Sequence, residues 1–163
     1  MRMLLLIPIL CFLLAFNASA QTPAQKIPSF TFYTLDKTPL TDKNVTSGKD
    51  ALFIFFDVTC DHCQHTISTL SKRIAECPKI SIYLISLEDK TAVTNFLNQY
   101  GKNLINKKNV TVLQDSKNQF ITQFGPRKYP SVFLYSKQKK LLLYDDEDQY
   151  LEKFFKLINP PKK

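Results

Sequence analysis

The sequence predicts an α/β fold, a central mixed β-sheet flanked by helices behind an N-terminal extension, and three observations carry that prediction. Short apolar runs of strand length at residues 51–58, 80–87 and 110–113 alternate with stretches whose apolar residues recur at helical spacing. Two further apolar runs, 131–135 and 140–144, lie as close together as the arms of a hairpin. An amphipathic stretch, 150–158, follows as a last helix. The chain has 163 residues, 44% of them hydrophobic and 12% aromatic, which suits one globular domain with a real core and excludes a disordered or disulfide-stapled scaffold.

In chain order, residues 21–28 read as an extended leader because Pro23 and Pro28 discourage regular structure, and the domain is expected over 29–159. Phe30 and Phe32 alternate with polar neighbours as in a strand, and 35–48 is rich in turn formers. Residues 51–58 are almost continuously apolar, as a strand buried on both faces would be. Cys63, Ile67, Leu70 and Ile74 then form one helical stripe that ends before Pro78. After the strand at 80–87, a helix over 91–104 carries Val93, Phe96, Leu97 and Tyr100 on one face. Ser116 is placed to cap a short helix bearing Phe120, Ile121 and Phe124, which stops at Gly125 and Pro126. The acidic cluster Asp145, Asp146, Glu147 and Asp148 reads as a solvated turn and helix start, and 160–163 as a tail.

Residues 1–20 have the make-up of a removed secretory signal: Arg2 as the positive region, an apolar run over 4–16, and Ala18, Ser19, Ala20 as the cleavage site. The apolar run contains Pro8 and falls short of the roughly 20 residues of a membrane span; an uncleaved anchor is the minor alternative. Export, to a periplasm above all, follows as the expectation, and Cys11 leaves with the signal. Removal of Arg2 takes the formal charge from +8 to about +7. The lysines are scattered along the chain without interleaved aromatics, so no nucleic-acid footprint is visible. They read as a solvated surface, the alternative being a general preference for acidic partners or membrane surfaces.

Chemistry concentrates at Cys60, Asp61, His62 and Cys63, directly after the first core strand and at the start of a helix. Two cysteines three apart there can share a disulfide. Unpaired backbone N–H groups and the helix dipole favour a thiolate on the first. Outside the cytoplasm such pairs make, reduce or reshuffle disulfides. Cys77 lies on the order of 20 Å or more from Cys60 if one helix joins them, whereas a bridge needs Cα atoms within about 7 Å. It reads as a small buried hydrophobe.

The strings IPSFTFYTLDKTPLT, ALFIFFDVTCDHC and VLQD, the secretory leader, and Tyr129, Pro130, Ser131 ahead of a hairpin together resemble the TlpA-like, AhpC/TSA-related thioredoxin family over nearly the whole mature chain. The resemblance implies a thioredoxin-like fold, a cis bond between Tyr129 and Pro130 facing the dithiol, and an exported thiol-disulfide oxidoreductase. Four positions depart from the family pattern. Ile54 stands where thioredoxins carry a buried acid, Thr59 replaces the tryptophan before the first cysteine, and Lys128 with Tyr129 replaces the glycine and aliphatic residue before the proline. Proton transfer from the second thiol must then use another group or water, and Thr59, Tyr129 and Pro130 become the substrate-groove candidates.

The expected mechanism has Cys60 attack a protein disulfide and Cys63 resolve the adduct, with the Cys60–Cys63 disulfide as the only redox group and no further cofactor. Protonated His62 and the helix dipole stabilise the thiolate while Asp61 opposes it, so the direction stays open, reduction or isomerisation being preferred from the resemblance. The partners implied are protein thiols and disulfides, an upstream electron donor or acceptor, and a membrane protein as a transient redox partner. Two rival readings remain. Cys60, His62, Cys63 and His65 bunch closely enough to suggest copper or zinc binding or delivery, but no second ligand cluster exists and His65 sits about 200° around the helix from Cys63. A thiol peroxidase could use Thr59 and Arg127, yet Asp57 occupies the position where peroxiredoxins place their threonine.

Overall fold

A computed structural model describes residues 21–147 and 151–159; the signal reading of 1–20, Asp148 and Tyr150, and the tail fall outside the described residues. Seven strands form one mixed sheet: β1 (Thr31–Thr34), β2 (Pro39–Thr41), β3 (Ala51–Phe55), β4 (Ser81–Ser86), β5 (Val110–Gln114), β6 (Ser131–Tyr135) and β7 (Leu141–Asp145). Their order across the sheet is β2-β1-β5-β4-β3-β6-β7. The central β3, β4 and β5 are parallel, and every other pairing is antiparallel. Four helices flank it: α1 (Asp61–Arg73), α2 (Lys90–Tyr100), α3 (Gln119–Phe124) and α4 (Glu152–Ile158).

The two faces of the sheet differ in chemistry, because neighbouring strand residues point to opposite sides. Leu52 and Ile54 of β3, with Ile82, Leu84, Val132 and Leu134, meet Cys63, Ile67 and Leu70 of α1, Phe96 of α2 and Phe154 of α4. Phe53 and Phe55 point the other way, into an aromatic layer with Phe30, Phe32, Tyr83 and Phe133 that α3 covers through Phe120 and Phe124. The Phe120 and Phe124 rings stack with centroids 4.2 Å apart, and Phe55 stacks on Phe120 at 4.5 Å. Burial on both faces accounts for the unbroken apolar run of β3.

Four local expectations are corrected. The stretch rich in turn formers contains β2, which pairs with β1 through Phe32 opposite Leu40. The helix expected over 91–104 breaks at Gly101, followed by a 3₁₀ turn over Lys102–Leu104. A Cβ at Gly101 would lie 2.8 Å from Leu97 Cδ2 and 3.1 Å from Ile67 Cγ2, so close packing of α2 on α1 sets that break. Asp115, not Ser116, serves α3: it is buried, and its Oδ2 accepts from the Phe120 amide at 2.7 Å. The acidic cluster is solvated only in part: Glu147 is exposed as expected, but Asp145 and Asp146 are buried and paired with Lys153 and Arg127. Among the described residues no helix is long and apolar enough to cross a membrane.

The leader packs on the domain. The Ala24 amide donates to Phe124 O, the Leu141 amide to Gln25 O, and the Tyr135 hydroxyl to Ala24 O. Gly125 has a φ of +65°, and a Cβ there would stand 2.4 Å from Thr22 O, so both its left-handed backbone and the passing leader require glycine.

Candidate functional site

The dithiol lies where β3 hands over to α1. Cys60 is the N-cap of α1 with extended backbone, its carbonyl accepting the Gln64 amide at 3.1 Å, and no side chain caps the helix at this point. The amides of the first turn have no partner within the helix. Cys60 is partly exposed, while Cys63, one turn on, is buried within the core. Both carry free thiols, as does Cys77.

Each sulfur has one defined backbone neighbour. The Cys60 thiol lies 3.9 Å from Tyr129 O, and the Asp57 amide donates to Cys63 Sγ at 3.4 Å. Burial first, then the adjoining Cys60 thiol, push the Cys63 thiol far above the ordinary range, against the lowering effect of the Asp57 amide. Cys63 is therefore held as a neutral thiol. Cys77, fully buried beyond the far end of α1, is pushed up to about 11 by burial and then by Glu76; it sits in the core, as the helix-length argument requires.

The loop facing Cys60 is clamped. The Tyr129–Pro130 peptide bond is cis, in line with the expectation drawn from the family resemblance. The Arg127 amide donates to Tyr144 Oη at 3.0 Å, the Tyr144 hydroxyl lies 2.9 Å from Asp146 Oδ2, and Ser131 Oγ donates to Lys128 O at 2.7 Å. The Arg127 guanidinium pairs with Asp146 and covers the Tyr144 ring at 4.8 Å. These contacts fix residues 127–131 between α3 and β6. Tyr129 packs its half-buried ring 4.7 Å from that of Phe55, and burial, then the Asp57 charge, raise its hydroxyl to about 12.

The residue that the sequence alone undervalued is Asp57. Its carboxylate accepts from the Thr59 amide at 2.7 Å and the Thr59 hydroxyl at 2.6 Å, folding the chain before Cys60 into a tight turn. The signal was present, since an aspartate two residues ahead of a threonine favours such a turn. Its backbone contact with Cys63 depends on tertiary structure. Ile54, in the place of the thioredoxin acid, is fully buried in the apolar layer. Asp61, His62 and His65 are exposed on the first turns of α1. Thr59 and Arg127, the peroxidase candidates, are both engaged by carboxylates, of Asp57 and Asp146.

A thioredoxin-like sheet with a dithiol at the start of its first long helix, facing a cis-proline loop, defines the structural class. The model of the AhpC/TSA family matches residues 23–143, most of the chain, and the protein belongs to that family. No curated protein matches the sequence significantly. Among solved structures, a thioredoxin-like protein from Aeropyrum pernix superposes with a TM-score of 0.64 at 16% identity, over 79% of this chain and 89% of that one. A secreted disulfide oxidoreductase of Mycobacterium tuberculosis, described as homologous to E. coli DsbE, gives 0.63 at 20% identity, over 78% and 95%. The peroxidoxin BcpB of Mycobacterium tuberculosis gives 0.69 at 14% identity, over 88% and 99%. At these identities the likeness establishes the thioredoxin-like fold.

Proposed function

We propose that this protein is an exported thiol-disulfide oxidoreductase, working in a periplasm or an equivalent oxidising space, that exchanges disulfides with protein substrates through Cys60 and Cys63. The observation that carries the reading is the asymmetry of the pair: a partly exposed Cys60 at the helix start beside Tyr129 O, and a Cys63 that is wholly buried. Only the first sulfur is open to a protein disulfide. In the reducing direction the Cys60 thiolate attacks one substrate sulfur, forming a mixed disulfide and expelling the other sulfur as a thiolate that takes up a proton. Cys63 then loses its proton and attacks Cys60 Sγ. The Cys60–Cys63 disulfide forms, the second substrate thiolate leaves, and two electrons have passed to the substrate. A separate dithiol donor, a membrane-borne redox protein among the candidates, must then reduce the pair.

Reduction or isomerisation is the preferred direction, supported by the TlpA-like sequence features. Asp61 and His62 would tune the thiolate, while Thr59, Tyr129 and Pro130 line the approach to it. The leader composition of residues 1–20 supports export, as does the secreted character of the Mycobacterium tuberculosis neighbour. Peroxide reduction is the second reading, favoured by family membership and the peroxidoxin neighbour. Against it stand the carboxylates that occupy Thr59 and Arg127.

Replacement of Cys63 by alanine should leave Cys60 able to attack but unable to release, so that mixed disulfides with exported proteins accumulate and can be identified. Insulin-disulfide reduction by the unaltered chain should be lost in Cys60→Ala. Rapid turnover of hydrogen peroxide with no exchange activity would overturn the proposal in favour of the peroxidase.

A further inference from the structure

Lysines that are scattered in sequence gather at the end of the molecule opposite the dithiol. Cys60 follows the carboxyl end of β3, whereas the segments preceding the amino ends of β3, β4 and β5 meet at the other end. Two shallow hollows lie there, of about 410 and 430 Å³, sharing Lys49 and adjoining at Pro78 and Lys79. Lys107 and Lys108 line the first, and Lys79 and Lys137 the second. All five lysines are exposed, and none forms an ion pair among the described residues. Asp50 is the single carboxylate lining either hollow, and its Oδ1 is occupied by the Lys137 amide at 2.9 Å. The neighbouring Glu76 is held by Arg73.

The same end is apolar where it should be wet. Leu142 and Leu157, 50% and 49% exposed, are the two most exposed large hydrophobic residues described, and both line the second hollow. Ile158 and Leu134 lie alongside them. Clustered cations around paired exposed leucines match a surface that is negatively charged at its polar layer and hydrocarbon beneath. We propose that this face docks on an anionic phospholipid bilayer, with Lys49, Lys79, Lys107, Lys108 and Lys137 against the headgroups and Leu142 and Leu157 dipping below them. A nucleic acid would meet the charge but leave the leucines without a partner.

The orientation has a consequence for the dithiol. With the lysine end on the bilayer, Cys60 and the 127–131 loop face away from it, toward proteins in the aqueous space. The described chain starts at Gln21, which lines a hollow with Tyr129 at the dithiol end. The proposal stands independently of the redox direction.

Vesicle flotation tests it, with the full chain and with the chain beginning at Gln21, which carries the whole described fold. Both should partition onto vesicles of phosphatidylcholine mixed with phosphatidylglycerol and not onto phosphatidylcholine alone, and rising salt should release them. At about fivefold per lysine, the triple variant Lys79→Gln, Lys107→Gln, Lys108→Gln should bind about a hundredfold more weakly. Leu142→Ser with Leu157→Ser should weaken binding about tenfold while leaving insulin reduction unchanged. Equal binding to both vesicle types, no binding at low salt by the unaltered chain, or indifference to either set of substitutions would each overturn the proposal. Equally tight binding to double-stranded DNA, insensitive to the leucine substitutions, would reassign the face to polyanions.

Discussion

Resolution of the mixed disulfide should be limited by the proton on Cys63, and the structure sets how strongly. The thiol is fully buried, one backbone amide at 3.4 Å is its defined donor, and the position of the thioredoxin acid is filled by Ile54. Burial is the leading cause of its raised pKa. The Cys60 contribution vanishes once Cys60 is tied up in the adduct, but burial persists. An exposed thiol with a pKa of about 8.5 would approach its full thiolate fraction by pH 9. Cys63 should instead remain on the steep part of its titration, its thiolate fraction rising about tenfold per pH unit, or about a thousandfold between pH 6 and 9. The assay is stopped-flow reaction with an aromatic disulfide reagent. A first release reports attack by Cys60 and depends on reagent concentration, while a second, independent of reagent, reports resolution by Cys63. A second phase that varied less than about threefold over that range would refute the reasoning and require a nearby base.

Three further outcomes follow from named contacts. Asp57→Asn keeps the amide donor to Cys63 but removes a negative charge that opposes its ionisation, so the second phase should quicken by about threefold; a slower phase would identify the carboxylate as a proton acceptor. Cys77→Ala should retain insulin reduction. It should also change the alkaline stability profile: below pH 9 both native and unfolded Cys77 hold their protons, and between about 9 and 11 only the native thiol does, so the native fold loses stability across that window, and loses less in the variant. Gly125→Ala forces a side chain onto a φ of +65° and into Thr22 O, which should cost about 1–3 kcal/mol and expose the leader to proteolysis, read by melting temperature and limited digestion.

Much of the fold was legible because burial writes itself into periodicity. The unbroken apolar run before Cys60 and the stripe from Cys63 through Ile67 and Leu70 identify a doubly covered strand and the helix packed on it. What escaped were features set by contacts far apart in sequence. The break of α2 at Gly101 answers to Ile67 on α1, and β2 is held through its pairing with β1 more than by its own three residues. Asp145 and Asp146 looked solvated because their partners, Lys153 and Arg127, come from α4 and the 127–131 loop.

By itself, then, the sequence determined the α/β class, the place of the dithiol at a helix start, and the buried role of Cys77, all consequences of local spacing. The spacing also put Cys63 on the apolar stripe and Cys60 at the helix start; tertiary structure decided how complete the inequality is, since Cys63 becomes fully buried only once α1 is packed on the sheet. It also decided that Tyr129 O faces Cys60 and that the Asp57 amide meets Cys63. The gathering of five scattered lysines at the opposite end is of the same kind. Parallel strands bring their amino ends together, and residues that no local pattern relates become one surface.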